Sequence, residues 1–117
     1  MSGRREVCFV IANGAIVWSD VSSSPASIAD SRERWEVIWR VRDSLEEIAH
    51  SHPIGPDAFS AEDETTMDAL DAALGRKLVY SVVTPALRLV RENGHRRGSA
   101  GEDPWWVPLL RAASGMP

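Results

Sequence analysis

Leu45-Glu46-Glu47-Ile48-Ala49-His50-Ser51-His52-Pro53, a short loop from Ile54 to Phe59, and then Ser60-Ala61-Glu62-Asp63 is the stretch from which the rest of the chain follows. Leu45 to His50 is short and apolar enough to be a strand that delivers the histidines to its end. In extended backbone the side chains alternate, so His50 and His52 point to one side. Pro53, Gly55 and Pro56 force a loop. Ser60 opens a helix, and Asp63 sits one turn inside it, where its carboxylate reaches back toward the strand end. Imidazole and carboxylate are both normal zinc ligands, and three protein ligands leave a fourth position open. His50, His52 and Asp63 are therefore the candidate metal ligands. Ser60, three residues before Asp63, is placed to hydrogen-bond a developing oxyanion.

Upstream, Glu6 to Ala12 and Ala15 to Val21 are apolar or β-branched runs joined by Asn13-Gly14. Both turn positions tolerate positive φ, so a hairpin is expected. Ser22 to Pro25 is a loop. From about Ser31 to Arg42, Trp35, Ile38 and Trp39 recur at helical spacing, which predicts an amphipathic helix capped by Asp30 or Ser31. The helix opened by Ser60 carries Met67, Leu70 and Leu74 and stops at Gly75. Leu78 to Val83 reads as a strand, with Ala86 to Val90 as its antiparallel partner beyond Thr84-Pro85. Asn93 to Asp103 is polar and glycine-containing and reads as a loop. Pro104 begins a short helix carrying Trp105, Trp106, Leu109 and Leu110. The order ββ-α-β-α-ββ-α predicts an α+β fold, a mixed and largely antiparallel sheet flanked by helices.

The chain has 117 residues, 44% of them hydrophobic, enough for a single domain spanning 1–117 with one modest core. A formal charge of −4 makes neither nucleic acid nor an anionic membrane an expected partner. The single cysteine, Cys8, rules out an internal disulfide and fits a reducing, cytoplasmic setting. The short apolar run near the N-terminus, broken by Asn13-Gly14, does not read as a signal peptide.

Taken together these residues resemble a JAMM (MPN-type, also called JAB-type) zinc metalloprotease domain. The family pattern is an upstream Glu, then His-Ser/Thr-His-Pro, six residues, and Ser-x-x-Asp. Here His50-Ser51-His52-Pro53, six residues, and Ser60-Ala61-Glu62-Asp63 match it without a gap. The hairpin, the tryptophan helix and the strand into His50 also come in the family's order. The resemblance implies a cytidine-deaminase-like sandwich architecture. It further implies zinc held by His50, His52 and Asp63, an oxyanion supported by Ser60, and Glu6 as the acid–base residue. Its expected activity is hydrolysis of a peptide or isopeptide bond after the C-terminal glycine of a ubiquitin-like or sulfur-carrier protein. Glu6-Val7-Cys8-Phe9 departs from the usual prokaryotic Glu-x-Cys-Gly stretch in having Phe9 for Gly. Only five residues precede Glu6 here, so the helix that usually stands before it is not in this sequence.

Each element also has a plainer account. Ser60 and Asp63 form a capping-box-like helix start that needs no metal. Glu46 and Glu47 compete with Glu6 as the base. Trp35 and Trp39 read as core, and of Trp105 and Trp106 only one can share a face with the core. Cys8 in an apolar strand reads as buried. Two other functions stay open. One is a non-catalytic MPN-type binding or scaffold module. The other is a RadC-like DNA-associated protein, although those relatives usually carry Asn where this chain has Ser51. The tryptophans near the end of the sequence permit a homodimer.

Overall fold

A computed structural model describes residues 3–99 and 101–117. Six strands form one sheet in the order β2-β1-β3-β4-β5-β6. β1 (Val7–Ala12) and β2 (Ala15–Val21) are the expected hairpin. Asn13 and Gly14 take φ of 53° and 70°, the left-handed pair that a two-residue turn between twisted strands requires. β3 (Leu45–Ser51) pairs antiparallel with the other side of β1 and parallel with β4 (Tyr80–Val83). That parallel step needs a crossover, supplied by α2 (Ala61–Leu74). β5 (Arg88–Glu92) and β6 (His95–Gly98) complete the sheet as antiparallel partners. The fold is thus α+β with a mixed, largely antiparallel sheet, as the element order implies.

Helices cover both faces. All six residues of β1 are buried, because alternate side chains enter two separate cores. On one face Cys8, Val10, Ile48 and Tyr80 pack with Val37 and Ile38 of α1 (Arg32–Arg40) and with Met67 and Leu70 of α2. On the other, Val7, Phe9, Ile11, Ala49 and Val83 pack with Trp106 and with Val107 and Leu110 of α3 (Val107–Ala113). Each such aliphatic side chain removed from water contributes about 1.5–3 kcal/mol before entropy is counted. Arg91 of β5, 5% exposed, reaches Glu64, Asp68 and Asp71 along α2 at 3.1, 2.7 and 3.4 Å and ties the crossover helix to the sheet. Among the described residues no helix is long and apolar enough to cross a membrane.

Three expectations are corrected. The segment from Asn93 is not simply a loop: Asn93 and Gly94, with φ of 52° and 77°, turn the chain into β6. All four β6 residues are exposed, so an edge strand held by backbone pairing carries no apolar signal. Trp39 is not core. It is 55% exposed, with the Arg42 guanidinium 4.0 Å above its ring, because Arg34, Val37 and Ile38 occupy the inward face of α1. Arg34 takes that place by pairing with Asp20 of β2 at 3.3 Å. The C-terminal helix begins after the tryptophan pair, which leaves Trp106 buried and Trp105 exposed.

Candidate metal centre

His50 lies near the end of β3, on the face that packs against α1 and α2, as Ile48 two residues earlier shows. His52 follows one step beyond the strand, fixed by its N–H donating to the Val83 carbonyl at 2.8 Å. Asp63 is the third residue of α2. Its backbone N–H donates to Ser60 Oγ at 3.0 Å, and Ser60 N–H donates to Asp63 Oδ2 at 2.8 Å. The capping box therefore exists, and it aims the ligand. With Asp63 held to the Ser60 backbone, Oδ2 stands 3.2 Å from His50 Nε2 and 3.4 Å from His52 Nε2. The rotamer that makes the cap is the one that brings Oδ2 to both histidines.

The two Nε2 atoms are 3.1 Å apart. A tetrahedral ion with bonds of about 2.0–2.1 Å separates its ligand atoms by about 3.3–3.4 Å. The three edges of 3.1, 3.2 and 3.4 Å fit one face of that tetrahedron. Three electron-rich atoms brought this close repel one another unless a proton or a cation sits among them. His52 Nδ1 donates to the Pro56 carbonyl at 3.0 Å, which fixes the tautomer and leaves Nε2 free for the ion. His50, His52 and Asp63 are thus a group able to hold a metal ion.

The electrostatics agree with that chemistry. Burial opposes ionisation of Asp63, but with no ion bound, hydrogen bonds from His50 and from a His52 that carries a proton on both nitrogens outweigh it and hold the carboxyl well below the usual carboxylate range. For His52 burial works to lower the pKa, but the Asp63 and Pro56 hydrogen bonds and the nearby carboxylates together outweigh it, so the net direction is upward.

Glu6 immediately precedes β1. Its N–H donates to Ser24 and its carbonyl accepts from Ser22, both at 2.8 Å, so its backbone is pinned on the edge away from β3. Cys8 pairs with His50, and the same antiparallel register carried two residues on sets Glu6 level with His52, on the ligand face. The side chain is buried. Burial raises its pKa, and the two histidines act against that rise. The competitors stand elsewhere. Glu47 points to the α3 face, where Arg88 meets it at 2.8 Å, and exposed Glu46 accepts from the Gly14 N–H in the hairpin turn.

A groove of about 780 Å³ opens beside the centre, between α1 with the loop before it and α2. His50 and Asp63 stand on its wall, and Cys8, Ile48 and Tyr80 form its floor. Burial pushes the Cys8 thiol up to about 12, so it is a packing group and not a nucleophile. Two contributors escape the sequence. The Pro56 carbonyl is a main-chain group with no residue-type signal. Buried Ser51 lies inside the motif, but its hydroxyl accepts the Val7 N–H at 2.9 Å, a contact 44 residues long-range. Comparison of the chain with family models and with curated proteins returns no match.

Proposed function

We propose that this chain is a zinc-dependent peptidase or isopeptidase of JAMM/MPN type. Its substrate on this reading is a ubiquitin-like or sulfur-carrier protein, cut after the C-terminal glycine. The observation that carries it is one juxtaposition: three ligand atoms at tetrahedral spacing, with a buried carboxylate, Glu6, on the same face. Two imidazoles and one carboxylate suit zinc, which when bound supplies a Lewis acid and lowers the pKa of its water to about 7.

The chain's own groups divide the remaining work. Glu6 accepts a proton at its carboxylate and returns it to the departing amine. A carboxyl whose pKa is raised by burial is better matched to that exchange than an exposed one. Ser60 Oγ accepts from Asp63 N–H, and its own proton remains available to an oxyanion. The groove, walled in part by Ile28, Trp35, Ile38 and Met67, gives an extended chain a surface leading to His50 and Asp63. The position of Glu6 weighs against a non-catalytic binding or scaffold module, and the charge of −4 weighs against a RadC-like role on DNA.

The test is incubation of the zinc-loaded protein with a panel of ubiquitin-like and sulfur-carrier fusions, with and without chelator. Cleavage after the terminal glycine, abolished by chelator and by His52→Ala, is expected. An intact panel despite one bound zinc per chain would refute the peptidase reading.

A further inference from the structure

We propose that the turn closing α3 is a positioning device for Glu6, acting through Ser114, Gly115 and Ser51. The proposal rests on the assignment of Glu6 as the proton-transfer group. Among the described residues no hydrogen bond holds the Glu6 side chain, and the Ser24 and Ser22 bonds pin its backbone on the β2 side only. On the other side its neighbours Arg5 and Val7 are fastened, and those fasteners converge on one turn more than a hundred residues away in sequence.

Before Glu6, the Arg5 N–H donates to the Ser114 carbonyl at 3.1 Å, and Arg5 Nε donates to the Ala113 carbonyl at 3.0 Å. After it, the Val7 N–H donates to Ser51 Oγ at 2.9 Å, and Ser51 Oγ lies 2.6 Å from Ser114 Oγ. Ser114 Oγ also lies 2.7 Å from the Leu110 carbonyl, which only accepts. Each hydroxyl has one proton, so the direction is fixed: Val7 N–H to Ser51, Ser51 O–H to Ser114, Ser114 O–H to Leu110. Both serines are fully buried, so no water substitutes for either bond. Ser51 lies between His50 and His52. One hydroxyl relay therefore joins the strand of the ligands, the residue after Glu6 and the end of α3.

Gly115 sets how closely the turn approaches. Its φ is +75°, and a Cβ there would stand 2.7 Å from the Gly3 carbonyl oxygen. A side chain at this position would push the segment that leads into Glu6 away from the turn. The candidate ligands also have fasteners outside the relay: β3 pairing, the Pro56 carbonyl and the capping box. Loosening the turn should therefore displace the base and spare the metal.

The experiment compares zinc-loaded wild type with Ser114→Ala, Gly115→Ala and Arg5→Ala, each also combined with Glu6→Gln. Three quantities are measured: zinc retention against a competing chelator, amide hydrogen exchange at Val7, and turnover of a ubiquitin-like fusion. Expected are zinc affinity within about threefold of wild type and Val7 exchange at least about tenfold faster in Ser114→Ala. Turnover should fall by about tenfold, with no further fall in the Glu6→Gln background, since a residue acting through Glu6 has nothing left to act on. Zinc loss equal to that of His52→Ala, unchanged Val7 exchange, or an equal drop in turnover on top of Glu6→Gln would each overturn the proposal. If no fusion is cleaved by wild type, the peptidase reading fails while exchange and zinc retention still decide the positioning role. Arg5→Ala removes one bond from an exposed side chain, so it folds even if Ser114→Ala does not, with a smaller change in the same direction.

Discussion

Asp63 caps a helix with the same carboxylate that is placed to hold a metal ion, and a pair of substitutions separates the two tasks. Ser60→Ala removes the acceptor for Asp63 N–H and leaves the ligand in place. Asp63→Ala removes the ligand together with the bond from Ser60 N–H. Loss of an N-terminal cap costs about 1 kcal/mol, and in a domain of this size that lowers the melting temperature by roughly 4–6 °C. At pH 8 with chelator, both variants should therefore melt a few degrees below wild type. Zinc then distinguishes them. A site filled at 100 times its Kd stabilises the native state by about 2.7 kcal/mol, a rise of roughly 10–15 °C. Wild type and Ser60→Ala should show that rise and Asp63→Ala should lose most of it. Circular dichroism melts with and without zinc measure all six values. An undiminished zinc response in Asp63→Ala would mean that the carboxylate is a cap and not a ligand. A response lost in Ser60→Ala would mean that ligand geometry depends on the cap far more than the Ser60 N–H bond allows.

Further outcomes follow from the same contacts. In zinc-free protein, His52 has a raised pKa, so its contribution to stability is fully present below its ordinary value of 6.5 and is lost as pH rises through the folded value. Asp63 has a lowered pKa, so its contribution is present above 3.8 and is lost as pH falls through the folded value. Urea midpoints should accordingly be higher at pH 5.5 than at pH 8.5, and His52→Ala should flatten that difference. Glu6→Gln should retain zinc by elemental analysis and lose about 10²–10⁴ in turnover, and an activity near wild type would remove Glu6 from the chemistry. Arg91→Ala should lower unfolding stability by about 2 kcal/mol in urea titration, a figure reduced from that of a fully buried pair because Asp68 and Glu64 are partly solvated.

Much of the fold was legible because local chemistry decided it. Asn13-Gly14 can hardly be anything but a tight turn, Ser60 with Asp63 starts a helix, and Gly75 ends it with φ of +69°. The same Asn-Gly pair recurs at 93–94, but the arginine-rich strand after it lacks the apolar alternation that normally accompanies a hairpin. Trp39 faces solvent for a related reason. Spacing shows which residues share a helix face, but which face turns inward was decided by Arg34 finding Asp20 on a strand that sequence proximity does not reveal.

The convergence of the candidate ligands is a short-range matter: His50 near the end of β3 and His52 one step beyond it alternate in extended backbone, and one loop and one helical turn bring Asp63 to them. That is why the grouping is legible in the sequence. The setting around them is long-range. Pairing of Cys8 with His50 brings Glu6 alongside, Arg88 meets Glu47 on the opposite face, and Ser114 reaches Ser51 of β3 through a hydroxyl. Periodicity and turn chemistry act over a few residues and leave a trace in composition. A hydrogen bond across a sheet or between layers joins residues by packing alone, so only the folded chain determines it.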